Sequence, residues 1–220
     1  MWGKKKNKEI RPLICSASPR DIPEFLEAAA KLPADKLFAK YHTEREAYRL
    51  LRKYFLGAKQ YSHMCLLSDD LIVTPKDYEM LLNDVKEFDY PVIAGTCNIQ
   101  YDTPNDYVTG KSIRHGRFVD LYKKEELFKG DPIKFCEFDG FALTFIRRDI
   151  VKKIEFHSKM YTSTAFDYAF AQECLDRGIP QRVDTRVKML HLACRKGVAK
   201  QENWGVGIKP PTMIFERYNP

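Results

Sequence analysis

The sequence predicts an α/β fold: a mixed, mostly parallel central sheet flanked by helices. Three observations carry that expectation. Short apolar runs at Leu13–Cys15, Met64–Leu67 and Val92–Ala94 have the length and composition of strands buried on both faces. Amphipathic helical stretches alternate with them through residues 10–97, the pattern that builds parallel sheets by helical crossovers. Small or acidic clusters follow the runs, at Ser16–Ser18 and Ser68–Asp70, and so share the edge of the sheet where ligands of open α/β folds bind.

Taken in order, RPLICSAS (11–18) reads as a first buried strand, followed by Pro19-Arg20-Asp21 and a helix over Ile22–Leu32 with Phe25, Leu26, Ala29 and Ala30 inward. A strand, a small-residue loop and a helix start can offer backbone N–H groups to an anion. No Gly-rich fingerprint accompanies them, so neither a dinucleotide site nor a P-loop is indicated. Asp35–Ala39 gives a second strand. Thr43 caps the next helix with Glu46 at the reciprocal capping-box position, and that helix turns Ala47, Leu50, Leu51, Tyr54 and Phe55 inward before ending at Gly57. The strand of YSHMCLLSDDLIVTP (61–75) follows. Tyr78, Leu81, Leu82 and Val85 then keep helical spacing, and Pro91–Cys97 is another buried strand.

From Asn98 to Lys134 prolines, glycines and polar residues dominate, predicting hairpins or a long loop beside the sheet. Phe135–Phe145 reads as one strand-like piece with a bulge or turn at Asp139-Gly140. A short helix over Ile150–Ile154, a mobile-looking segment Ser158–Thr164, and a helix over Phe166–Arg177 stopped by Gly178 come next. A last strand over Val183–Leu192 carries His191, and a basic, polar tail follows with aromatic points at Trp204, Phe215 and Tyr218.

The chain of 220 residues suits one domain, and 44% hydrophobic with 30% charged residues is a globular composition. There is no apolar run of bilayer length and no signal-peptide core. Lys4, Lys5, Lys6 and Lys8 read as a solvated tail. A net charge of +7 suits anionic partners, among them nucleotides, phosphorylated lipid heads, nucleic acid and anionic membranes, without choosing among them. Six cysteines without a CxxC pair argue against a zinc cluster and against a disulfide scaffold. A reducing, cytoplasmic setting is expected, peripheral at a membrane surface in one variant, and in the host cytoplasm if the chain is viral.

Two adjacent carboxylates at a buried strand end are costly unless compensated, and a divalent cation with oxygen ligands is one compensator. Asp69 and Asp70 read equally well as capping residues of a solvated turn. Taken alone, Asp167 reads as a first-turn acid favoured by the helix dipole, and His191 as a core histidine.

Together these pieces resemble a GT-A glycosyltransferase, a compact family-2-like member of the nucleotide-diphospho-sugar transferases, over roughly Ile10–Leu192. LLSDDLIVTP is similar to the family's D-x-D strand end. The resemblance implies that Asp70 holds a divalent metal, Mn²⁺ or Mg²⁺, on the donor's diphosphate, with Asp69 in support and Ser68 standing where the first acid usually sits. FDYAFAQECLDRG places Asp167 where the family's catalytic base opens a helix, with Phe166 in place of the usual Glu. His191 in VKMLHL matches the histidine that completes the metal site. Asp139-Gly140-Phe141 is similar to the acceptor-side turn, with Gly95 approaching closely in the same region.

Ser16, Ala17, Ser18, Pro19 and Arg20 are then expected to cradle the nucleotide, beside Ser68, Asp69 and Asp70. The implied organisation is a basic tail (1–9), a Rossmann-like GT-A domain (10–195) split into a nucleotide-sugar half (10–97) and an acceptor/catalytic half (98–195), and an extension (196–220). The implied activity is metal-dependent, inverting transfer of one sugar from a nucleotide-diphosphate donor to the hydroxyl of a glycan, glycoprotein or glycolipid. The alternatives are a nucleotidyltransferase, whose Gly-rich basic loop is missing, and a non-catalytic module of the same fold that binds a nucleotide sugar, glycan or nucleic acid, with nucleic acid the less favoured partner.

Overall fold

Strand β1 (Pro12–Ser18) is buried along its whole length because it has a parallel neighbour on each side. It pairs with β2 (Asp35–Lys40) and β3 (His63–Leu66) in registers that keep Leu13 opposite Asp35 and Met64. In this computed structural model, residues 9–99, 106–114, 118–156, 166–192 and 205–219 are described. The lysine tail, Cys194, Trp204 and the segment Ser158–Thr164 lie outside them.

Alternation along β1 sends Leu13, Cys15 and Ala17 to one core and Ile14 to the other. The first core holds Tyr48, Leu51 and Phe55 of α2 (Glu44–Gly57), Ile150 and Val151 of α5 (Arg148–Lys153), and Phe166 and Phe170 of α6 (Phe166–Asp176). The second holds Phe25 and Ala29 of α1 (Pro23–Ala30) and Tyr78, Leu81 and Val85 of α3 (Pro75–Glu87). Helices thus cover both faces, as the apolar runs require.

The remaining strands extend the sheet to nine in the order β11-β2-β1-β3-β9-β5-β10-β4, with β8 also on β10. Strands β5 (Val92–Cys97) and β10 (Gln181–His191) run parallel to each other. β9 (Thr144–Arg147) lies antiparallel between β3 and β5. β4 (Leu71–Ile72), β8 (Ile133–Cys136) and β11 (Thr212–Glu216) are antiparallel additions. The sheet is therefore mixed, with β1, β2, β3, β5 and β10 pointing one way. A hairpin of β6 (Asp106–Arg114) and β7 (Phe118–Lys123), followed by the single turn α4 (Lys124–Leu127), fills the region expected to hold hairpins. Among the described residues no helix is long and apolar enough to cross a membrane.

Several local expectations are corrected. Phe135–Phe145 is not one strand: β8 and β9 belong to different places in the sheet, and the turn between them takes three consecutive-region residues, Gly140, Phe141 and Leu143, into positive φ. Val183–Leu192 is a single longer strand bulged between Val183 and Lys188. On α2, Tyr48 is the buried tyrosine, whereas Tyr54 is exposed and packs on Phe215 with the ring centroids 5.9 Å apart. The reciprocal capping box forms at Thr74–Asp77 of α3. At α2 only the Thr43 half is made, and the Glu46 carboxylate lies 3.3 Å from His42 Nδ1. Finally, the C-terminal segment is not an appendage. β11 completes one edge of the main sheet, and Tyr218 N donates to Asp35 Oδ1 at 2.9 Å.

Candidate active site

The carboxyl ends of the five co-directional strands converge on one cavity of about 500 Å³, within the range of small-ligand sites. Behind β1 come Ala17, Pro19 and Arg20. Behind β2 come His42 and Glu44, behind β3 the turn Ser68–Leu71, behind β5 Cys97 and Ile99, and at the end of β10 His191. The far wall is built by Val108, Val119 and Leu121 of the hairpin, by Phe138 and Gly140, and by Asp167 and Tyr168 at the start of α6. Val206, from the C-terminal segment, also lines it.

The acid pair sits at the bottom. Asp69 is 2% and Asp70 6% exposed, so their charges need partners. Arg20 supplies them: its backbone N–H donates to Asp69 Oδ2 at 3.1 Å, its Nε reaches both Asp69 oxygens at 3.1 and 3.2 Å, and its Nη2 bonds Asp69 Oδ1. The same Nη2 lies 2.9 Å from Asp70 Oδ2. His191 holds that oxygen from the other side, with Nε2 at 3.3 Å, while its Nδ1 lies 3.0 Å from the Asn98 carbonyl.

Burial raises the Asp69 carboxyl to about 6 against the pull of Arg20. For Asp70 burial is outweighed by His191 and Arg20, and its pKa is lowered. Burial opposes the charged His191 ring, but the Asp70 bond and charge outweigh it and raise the pKa.

Across the cavity the carboxylates have fewer partners. Burial raises Asp167 to about 6, and its Oδ1 accepts from Tyr168 N of its own helix at 2.8 Å. Glu44, on the first turn of α2, is raised to about 7 by burial and then by the charges of Asp167 and Asp69. Its carboxylate meets no donor among the described residues.

Of the residues expected to cradle a nucleotide, Ala17, Pro19, Arg20, Ser68, Asp69 and Asp70 line the cavity. Ser16 and Ser18 do not: their hydroxyls are buried and pair with each other at 3.1 Å. Asp167, Asp70, Asp69 and His191 are brought to the same cavity. Of the acceptor-side turn only Gly140 faces it. A Cβ there would stand 1.9 Å from Val108 Cγ1, and φ is +63°, so both the backbone and the hairpin contact require glycine. Asp139 lies behind the wall, its Oδ1 accepting from Phe141 N (2.8 Å) and Thr144 Oγ1 (3.1 Å), its Oδ2 without a hydrogen-bond partner among the described residues. Phe141 packs in the core against Tyr48 and Phe170. Gly95 does make a close approach, but to Met189 and Val187 of β10.

Sequence reasoning missed Glu44, His42, Tyr48 and Val206. Glu44 follows a capping threonine and so carries only the signal of a dipole-favoured first-turn acid.

The donor set can be tested against a metal. Asp70 Oδ2 and His191 Nε2, 3.3 Å apart, have close to the separation of adjacent ligands on a six-coordinate ion, about 3.0 Å for bonds of about 2.1 Å. That separation is also a hydrogen-bond distance, so the two groups hold each other as they stand and would have to part from that bond to take an ion. No group of three or more His, Cys, Asp or Glu side chains stands ready to hold a metal among the described residues.

No protein-family model matches the chain, and no curated protein matches it. Among solved structures it is similar to A197 from STIV, at 17% identity over 83% of this chain and 85% of that one, with a TM-score of 0.58. The inositol-1-phosphate CTP transferase from T. maritima matches at 11% identity over 86% and 92% of the two chains, with a TM-score of 0.49, too low to carry an argument. The A197 likeness shows a shared fold. Fold and topology together define a mixed α/β, Rossmann-like domain with its cavity at the strands' carboxyl edge.

Proposed function

We propose that the protein is a metal-dependent glycosyltransferase that moves one sugar, with inversion, from a nucleotide-diphosphate donor to an acceptor hydroxyl. The observation that carries this reading is the meeting of Asp167 with Asp69, Asp70 and His191 in one cavity, although Asp167 and Asp70 lie 97 positions apart in the sequence. Asp70 and His191 would hold the cation, whose chemistry is to offset charge on the departing nucleoside diphosphate. The Pro19–Arg20 loop and Ser68 face the phosphate and ribose region. Asp167, at about 6, is ionised at neutral pH yet more basic than an ordinary aspartate, which suits a general base. It takes the acceptor proton as the acceptor oxygen bonds to the anomeric carbon, and the bond to the diphosphate oxygen breaks on the opposite face. The apolar wall of Val108, Val119, Leu121 and Phe138 would exclude water from the acceptor side.

A second reading has an observation of its own. Arg20 already pairs with both acids, which is consistent with a non-catalytic module that binds nucleotide sugars or glycans without a metal. Calorimetry with UDP- and GDP-sugars, with and without Mn²⁺, separates the two: metal-dependent binding supports the transferase. Asp70→Ala and Asp167→Ala are then assayed for donor hydrolysis and transfer. Wild-type turnover in both variants would sink the mechanism.

A further inference from the structure

We infer that Arg20 is the resident counter-ion of the acid pair and makes entry of the cation conditional on the diphosphate. This rests on the reading of the cavity as a cation and diphosphate site. The argument begins with one atom. Asp70 Oδ2 is the oxygen that His191 and a cation would share, and Arg20 Nη2 stands 2.9 Å from it. A cation placed there meets a guanidinium that is 13% exposed and screened by little water. With Arg20 in place, a dication has to compete with the guanidinium for Asp70 Oδ2. A diphosphate arriving with the cation offers the guanidinium a second pair of oxygens of the geometry it already grips and so frees that oxygen for the cation.

Only the side chain has to move. The loop that carries Arg20 is anchored on both sides. Asp21 Oδ1 accepts from Lys40 Nζ and from Tyr41 Oη, both at 2.8 Å, and Lys209 bonds the other carboxylate oxygen. Pro19 O accepts from Gly205 N at 2.9 Å. The guanidinium lines the cavity at the end of a long, jointed side chain, so it can turn from the carboxylates to a phosphate without unseating the loop. Cation and diphosphate are then thermodynamically coupled: each binds more tightly with the other present.

The test uses the full chain and electron paramagnetic resonance of free Mn²⁺, titrated alone and with UDP, GDP or pyrophosphate. Wild type is expected to bind Mn²⁺ about tenfold or more tighter with a diphosphate probe than without. Arg20→Gln is expected to bind Mn²⁺ alone about tenfold tighter than wild type, with the coupling largely lost. Arg20→Lys keeps the charge but not the fork. It is expected to lie between the two and stands in if Arg20→Gln fails to fold, as judged by circular dichroism. Equal Mn²⁺ affinity of wild type with and without every probe, or variants that bind Mn²⁺ alone no tighter than wild type, would overturn the assignment. Failure of all three probes to bind overturns the transferase reading instead, and it is seen in a separate titration from the comparison in Mn²⁺ alone.

Discussion

One cavity treats its carboxylates in two ways. At the β3 end, Asp69 and Asp70 are buried but answered by a guanidinium and an imidazole. At the α2–α6 end, Glu44 and Asp167 face open space, and Asp139 lies behind the wall with one oxygen unanswered. In the first group Asp70 is compensated by the fold and Asp69 only in part, its carboxyl still raised to about 6; the second carries its desolvation cost into the folded state with fewer partners. Strongly perturbed groups gathered in a cleft are where chemistry is expected. Under the proposed transferase function, the contrast would assign ligand-charge handling to one end and proton handling to the other.

Changes at the uncompensated end sharpen this contrast, the largest being Asp167→Asn. It keeps the shape of the side chain and removes its basicity, so transfer should fall by about 10²–10⁴-fold while nucleotide affinity stays within a few-fold, as read by kinetics and calorimetry together. Equal loss of both would make Asp167 a structural residue. In the wild type the same group sets an acid limb. Because its pKa is raised to about 6, turnover should fall about tenfold per pH unit below that value as the base is protonated, and a limb near 4 would contradict the burial argument.

Asp139 should act on stability. Its folded-state pKa of about 6 lies above the ordinary 3.8. The folded protein thus binds the extra proton between the two values, and stability falls as pH rises through that window. The full cost at neutral pH is about 3 kcal/mol. Asp139→Asn keeps an acceptor for Phe141 N and Thr144 Oγ1, and denaturant melts from pH 4 to 7 should lose the Asp139 share of the slope, the shares of Asp69, Asp167 and Glu44 remaining. A smaller effect is expected from Glu44→Gln. The glutamate is also held above its ordinary value and is destabilising when ionised, so the variant should gain about 1 kcal/mol at pH 8 and little at pH 4. Destabilisation at pH 8 would mean that Glu44 has a partner and belongs with the compensated acids.

How much of this was legible varies along the chain. The β1–α1–β2–α2–β3–α3–β5 succession could be read because each element is buried on a repeating pattern and punctuated by Pro, Gly or a cap. Asp167 could be placed because a Gly178 stop, at φ +62°, marks its helix from the far end. The division of Phe135–Phe145 into two strands was hidden: its strained turn is held by Asp139 and by Gly140's contact with Val108, which comes from a separate hairpin. Glu44 was hidden for a similar reason, since its first-turn position looks the same whether the space in front of it is solvent or a cavity.

By itself the sequence determined the strand and helix succession of residues 10–97, most of the residues that end those elements, and that acids cluster where a strand meets a loop. These are consequences of local burial patterns and backbone preference, which act over a few residues. Only the tertiary structure decided that Arg20 lies on Asp69 and Asp70, that Glu44 looks toward Asp167, that Ser16 and Ser18 turn away, and that β11 closes the sheet. Apart from the Ser16–Ser18 pair, which is local, each of those depends on contacts between residues tens to hundreds of positions apart, whose partners no local pattern specifies.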